Sequence, residues 1–311
     1  MFDVAISQLT TPRWELAQEL AYLTEHGFSA LSLWRPKLSD SGPAAAARLM
    51  ARCGVRCSSL QWAGGFTGSD GRSFKESVSD ACEAIEMAGD VGAPVLLVHS
   101  GCRGGHTRSH AARLLGDALE TLAPAARRAG VTLAVRPIHP LAASGCSFLT
   151  CVVGTLSVIE QFGDPAVRMA LDLWQFGHAS ELPGLLPRLA AAAAVVQVAD
   201  RVGPPTAEAD RLPAGHGGLP LESLVAGLWE HGFAGTFEFD PVGEAVEMLG
   251  YGGTLAETRR IVDTWEHRLP VAVPVRFREV GSAAYPACYR RPVAPAGSRR
   301  SQASSQAVSR G

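Results

Sequence analysis

The residues of this 311-residue chain best suited to chemistry stand where apolar runs end. Asp172 closes the run over 168–173, and Glu238 and Asp240 flank the end of 234–239. Carboxyl groups in such places can take up and return protons. Arg136 closes 131–136 and is cationic at any working pH, so it can pair with a carboxylate or stabilise an oxyanion. Gln197 carries an uncharged amide oxygen. His99, His106 and His216 offer acid–base groups, Gln175 and Lys37 offer hydrogen bonds, and Trp34 and Trp62 offer apolar walls for a small ligand.

Eight short β-rich runs hold these residues: 2–8, 28–34, 55–61, 94–99, 131–136, 168–173, 194–199 and 234–239. Several are almost wholly apolar, as strands covered on both faces must be. Helical patterns alternate with them over 12–26, 43–53, 73–91, 108–129, 150–162, 180–192, 219–231 and 254–267. Thr11–Pro12 reads as a helix opening, and Ser73 with Glu76 as a capping box. Gly27, Gly54, Gly92, Gly130 and Gly232 stand near helix ends. Eight β-then-α units predict a single (β/α)8 barrel, an α/β fold whose reacting groups sit at the carboxyl ends of its strands. The first βα turn, Ser7 to Thr11, lacks the glycines of a dinucleotide-binding sheet.

Composition removes several other classes. Net charge is −2, against a nucleic-acid partner. No apolar run reaches the roughly 20 residues of a membrane span, and the first residues do not read as a secretory signal. A cytoplasmic protein is therefore expected. The only lysines are Lys37 and Lys75, so a phosphate-binding Gly-Lys-Ser/Thr loop is absent. The seven cysteines form no Cys-x-x-Cys pair, and most are expected to be buried as small apolar residues. The barrel is expected over 1–267. A low-complexity tail rich in Arg, Pro, Ala and Ser follows over 268–311; it reads as disordered or as an arm for an anionic partner, and 271–280 as an added strand.

The strand-end pattern resembles the sugar phosphate isomerase/epimerase family, with its xylose isomerase-like TIM barrel, over residues 2–266. The resemblance rests on Ser7–Thr11 with Leu33-Trp34-Arg35-x-Lys37, on the 62–68 stretch from Trp62 to Gly68 followed by Ser100-Gly101-x-Arg103-Gly104-x-His106-Thr107, and on 196–200 with Asp210-Arg211-Leu212 and Gly215-His216-Gly217. It implies a small sugar-like substrate, proton transfer beside a carbonyl, and one Mn²⁺ or Mg²⁺ ion held by Glu, Asp, His and Glu from strands 5 to 8; it also allows a homodimer. Here the strand-5 glutamate position holds Arg136, the histidine after strand 6 is replaced by Gln175, and the strand-7 ligand by Gln197. The implied metal shell shrinks to Asp172, Gln197 and Asp240, beside a fixed positive charge. A divalent ion is therefore expected to be weakly held or lost, with Arg136 paired to Asp172 or Asp240 in its place. Three functions follow: an isomerase or epimerase, a metal-free lyase, dehydratase or cyclase, and a non-catalytic binding protein.

Overall fold

The computed structural model describes residues 2–142 and 145–268. The strands are β1 (Val4–Ser7), β2 (Ala30–Trp34), β3 (Arg56–Gly64), β4 (Val95–His99), β5 (Thr132–Val135), β6 (Val167–Asp172), β7 (Ala193–Val198) and β8 (Thr236–Phe239). Each pairs in parallel with the next, and β8 closes on β1. The helices are α1 (Leu16–Glu25), α2 (Arg35–Ser41), α3 (Pro43–Cys53), α4 (Phe74–Asp90), α5 (Arg108–Ala129), α6 (Val152–Phe162), α7 (Leu173–Phe176), α8 (Leu182–Ala192), α9 (Leu221–Glu230) and α10 (Glu244–Arg268). All eight expected strands are present. The expected tail from 269 onward, with the 271–280 stretch and Cys288, lies outside the described residues.

The strand period of two explains how an apolar barrel carries a polar mouth. Val95, Leu97, Ala134, Ala170 and Val195 belong to a buried cluster distinct from the main core between barrel and helices. Two residues further along the same strands come His99, Arg136, Asp172 and Gln197. Direct pairing of Asp172 with Gln197, and of Gln197 with Glu238, keeps these side chains on one face.

Several local readings need correction. Thr11–Pro12 does not open α1, which begins at Leu16 after a turn in which Trp14 N donates to Thr11 O. The Thr11 hydroxyl donates instead to Glu19. Strand β3 runs on to Gly64, three residues past its expected end. The short helices α2 and α7 lack the length for a periodic signal. Of the described cysteines only Cys57 is buried, because the others lie on helix flanks and loops. The Ser73–Glu76 capping box is present in both directions. No helix among the described residues is long and apolar enough to cross a membrane.

Candidate active site at the barrel mouth

The ends of β5 to β8 carry a buried charge cluster. Asp172 Oδ2 accepts from Arg136 Nη2 at 2.5 Å and from Arg211 Nη1 at 3.1 Å, and Asp172 Oδ1 accepts from Arg211 Nη2 at 3.2 Å. Asp172 Oδ1 also caps α7 by accepting from Trp174 N at 3.0 Å. Arg211 reaches in from the connection between β7 and α9. Its backbone exchanges hydrogen bonds with Val242, and its guanidinium lies 5.0 Å from the Trp174 ring centroid. Arg211 Nη2 donates to both oxygens of Asp240, at 2.5 and 2.6 Å, and Gln197 Nε2 donates to Asp240 Oδ2 at 3.3 Å. Two cations thus face two carboxylates.

These contacts set the protonation states. Burial pushes Asp172 up, but the charges and hydrogen bonds of Arg211 and Arg136 outweigh it and hold the carboxyl at about 2. Burial pushes Asp240 up to about 6; Arg211 opposes this and the nearby Asp172 charge reinforces it. Asp172 has two guanidinium partners and Asp240 one, which accounts for the opposite directions. Burial also raises Glu238 to about 7, against the hydroxyls of Ser58 and Ser59. Burial, then the Arg136 charge, lowers His99 to about 3 and keeps its ring neutral.

The ends of β1 to β3 present a neutral face. Gln61 Nε2 donates to Ser32 Oγ at 2.7 Å and to Ser7 Oγ at 3.2 Å, and the Ser32 and Ser59 hydroxyls are 2.8 Å apart. A register shift between β2 and β3 lets Ser58 as well as Ser59 approach Glu238; Ser58 Oγ donates to Glu238 Oε1 at 2.6 Å. Gln61 Oε1, His99 Nε2, Gln197 Oε1, Glu238 Oε2 and Arg136 Nε are buried with no hydrogen-bond partner. Such atoms are costly unless a ligand or water meets them.

A cleft of about 630 Å³ opens over β2, β3 and β4, lined by Trp34, Gln61, Trp62, Gly64 and His99 among others. Trp62 is 40% exposed and stacks on His99, with centroids 5.3 Å apart. Gly64 brings the two strand ends together: at its φ of +131° a Cβ would fall 1.9 Å from the His99 carbonyl oxygen. A depression of similar volume between the end of α1 and the last turns of α10 contains no strand-end residue.

The structure places the expected site residues in two groups. Arg136, Asp172, Gln197 and Asp240 meet directly, Glu238 lies below Asp240 on β8, and Trp34, Trp62 and His99 line the cleft. The others are engaged elsewhere. Lys37 Nζ donates to Glu19 at 2.6 Å and to Thr11 O at 3.1 Å. Gln175 Oε1 accepts from His139 N at 3.0 Å, His106 Nε2 lies 3.0 Å from Thr67 O, and His216 faces Glu257 at 3.0 Å. Arg211 was not singled out as a site residue, although its tripeptide belongs to the motifs above. That motif, with a charge beside Asp210, is the signal that could have found it.

A divalent ion on Asp172, Gln197 and Asp240 would have to displace guanidinium donors from both carboxylates. At ~4 Å and an effective dielectric of ~20, each unit of like charge costs about 4 kcal/mol. Among the described residues no group of three or more His, Cys, Asp or Glu side chains could hold a metal. These donors do not fit a divalent cation.

Comparison with known proteins agrees with the barrel. SMc04130 from Sinorhizobium meliloti 1021 superposes with a TM-score of 0.71 at 22% identity, covering 85% of this chain and 96% of its own. The IolI protein, in a structure with a bound zinc atom, gives 0.74 at 16% identity, covering 87% and 100%. D-psicose 3-epimerase from Clostridium cellulolyticum H10, with D-tagatose, gives 0.69 at 11% identity, covering 87% and 100%. No curated protein matches the chain in sequence. The family model for the xylose isomerase-like TIM barrel matches residues 20–257, and the chain belongs to that family.

Proposed function

We propose that this protein is a metal-independent isomerase or epimerase of a small sugar or polyol-derived carbonyl compound. The double clasp of Asp172 and Asp240 by Arg136 and Arg211 at the strand ends supports metal independence, and the reaction type rests on the buried, unpartnered Glu238 Oε2 beside that cluster. In this reaction a carboxylate removes the proton from the carbon next to a carbonyl, and electron density moves to the carbonyl oxygen. Asp240, near 6, and Glu238, near 7, lie in the range where a base works at neutral pH. Arg136, whose Nε has no partner, supplies the fixed positive charge for the oxygen. A proton then returns to the opposite face of the same carbon, giving an epimer, or to the former carbonyl carbon while a hydroxyl proton passes between the two oxygens, giving an isomer.

The reading is tested by solvent-deuterium incorporation into sugars in the presence of a chelator. Exchange is expected, and Asp240→Asn should lower its rate by about 100-fold or more. Full exchange in Asp240→Ala removes that residue from the chemistry. A second reading, a non-catalytic sugar-binding protein, is favoured by the full engagement of both aspartates with guanidinium groups. It predicts saturable binding with no exchange.

A further inference from the structure

Away from the barrel mouth, positive charge collects between two helices. The depression between the end of α1 and the last turns of α10 has a volume of about 640 Å³, and His26, Arg259, Arg260, Asp263, His267 and Arg268 are among the residues that line it. Three guanidinium groups share this lining with one carboxylate, in a chain whose net charge is −2. Glu257, Glu266 and Glu222, which pair with these arginines, do not line the depression.

The three arginines are not held alike. Arg259 is fixed: its Nε and Nη2 bond Asp263 at 2.8 and 2.7 Å, and its guanidinium lies 5.5 Å from the Phe28 ring centroid. Among the described residues, Arg260 uses only Nη2, to Glu257 at 3.1 Å, and Arg268 only Nη1, to Glu222 at 3.2 Å. Both side chains are 64% exposed, where an ion pair contributes little. A guanidinium carries more N–H donors than these pairs use, so each cation can meet a further acceptor without leaving its glutamate. The histidines are set as well. Nδ1 of His26 lies 2.8 Å from Tyr22 O, and Nδ1 of His267 lies 2.7 Å from Asp263 O. A carbonyl oxygen only accepts, so Nδ1 carries the hydrogen in each ring and Nε2 is left open among the described residues. That nitrogen can accept from a ligand hydroxyl or, once protonated, donate to an anion.

We propose that this depression is a second ligand site, separate from the barrel mouth, for a small soluble anion that carries phosphate. Arg260 and Arg268 bind the phosphate oxygens, and Arg259 supplies a fixed charge beside them. Guanidinium groups match phosphate in both charge and geometry. The local excess of positive charge repels a cation and gives a neutral ligand no advantage. The lining includes no strand-end residue, so a ligand bound here takes no part in proton transfer at the mouth, and this inference stands independently of that reaction.

The test is calorimetric titration of the full chain with pyrophosphate at low salt. Pyrophosphate should bind, and the double variant Arg260→Gln with Arg268→Gln should weaken it about tenfold or more. Both side chains are largely exposed, and circular dichroism checks that the variant keeps its fold. Two controls separate the depression from other arginines. Arg103→Gln, exposed on the loop after β4, should leave the affinity unchanged. So should Arg299→Gln with Arg300→Gln, in the stretch outside the described residues. Affinity that survives in the first variant, or that falls as far in either control, overturns the proposal. So does the absence of pyrophosphate binding, whether or not the chain sediments with phosphatidic acid vesicles.

Discussion

The two halves of the barrel mouth solve the burial of polar groups in opposite ways. From β5 to β8, four charged side chains satisfy one another, and Arg211 alone bridges both aspartates. From β1 to β4, hydroxyls, an amide and a neutral imidazole form a network that stops short, leaving Gln61 Oε1 and His99 Nε2 open beside a cleft. One half pairs its charges with one another and the other links neutral groups, and each keeps buried atoms without a partner: Arg136 Nε, Gln197 Oε1 and Glu238 Oε2 in the first, Gln61 Oε1 and His99 Nε2 in the second. The difference separates a charge-paired wall from a neutral one that faces the cleft.

The largest effect should come from opening the charge-paired half. Asp172→Asn leaves two guanidiniums without their shared partner and should cost about 3–5 kcal/mol in urea denaturation. Gln61→Ala, on the neutral side, should cost about 1 kcal/mol. Equal losses would erase the distinction.

The next effect follows from pH. Glu238 is raised to about 7 from its ordinary value, so the folded state keeps a proton that the unfolded chain has released. The contribution of Glu238 to stability should therefore fall by about 2–3 kcal/mol as pH rises from 5 to 8, with Asp240 adding to the fall and the neutral His99 opposing it. Glu238→Gln should change stability little at pH 5, and the difference between the native chain and this variant should carry the Glu238 part of the pH dependence. Asp172 acts in the other direction: its contribution is present above the ordinary carboxylate range and is lost as pH drops through about 2. Denaturation curves at pH 3, 5 and 8 on both proteins check the two signs.

A smaller effect is expected where a cation is engaged below the cleft. Lys37 and the buried Glu19 tie the first loop to α2; Glu19 also holds Gln8, whose amide oxygen accepts from Trp34 N. Lys37→Met should cost about 1–3 kcal/mol of stability. Smallest of all, Trp62→Ala should change stability by less than about 1 kcal/mol, because its ring is half exposed. A large loss there would make Trp62 part of the core rather than of a binding wall.

Much of this division was legible in the residues. Strand periodicity located Arg136, Asp172, Gln197 and Asp240 because a parallel barrel aims strand ends at one mouth. Charge gives Arg136 a carboxylate partner, Asp172 or Asp240, and the structure selects Asp172. Arg211 was hidden because it arrives on a loop fixed by pairing with Val242 and Leu212 with Asp200, contacts that local sequence does not encode. Lys37, His106, Gln175 and His216 have residue types suited to a ligand, yet each is bound by a segment far along the chain. The absence of Cβ at Gly64 was visible; the His99 carbonyl that requires it was not.

The central claim is that two guanidinium groups hold Asp172 and Asp240 where relatives are expected to keep a divalent ion. Elemental analysis of the purified chain, after separate incubation with Mn²⁺, Mg²⁺, Co²⁺ and Zn²⁺ and removal of free ion, tests it most directly. The account predicts well under one ion per chain, unaltered by Asp240→Asn. One tightly held ion per chain, lost in Asp172→Asn and Asp240→Asn, would contradict it.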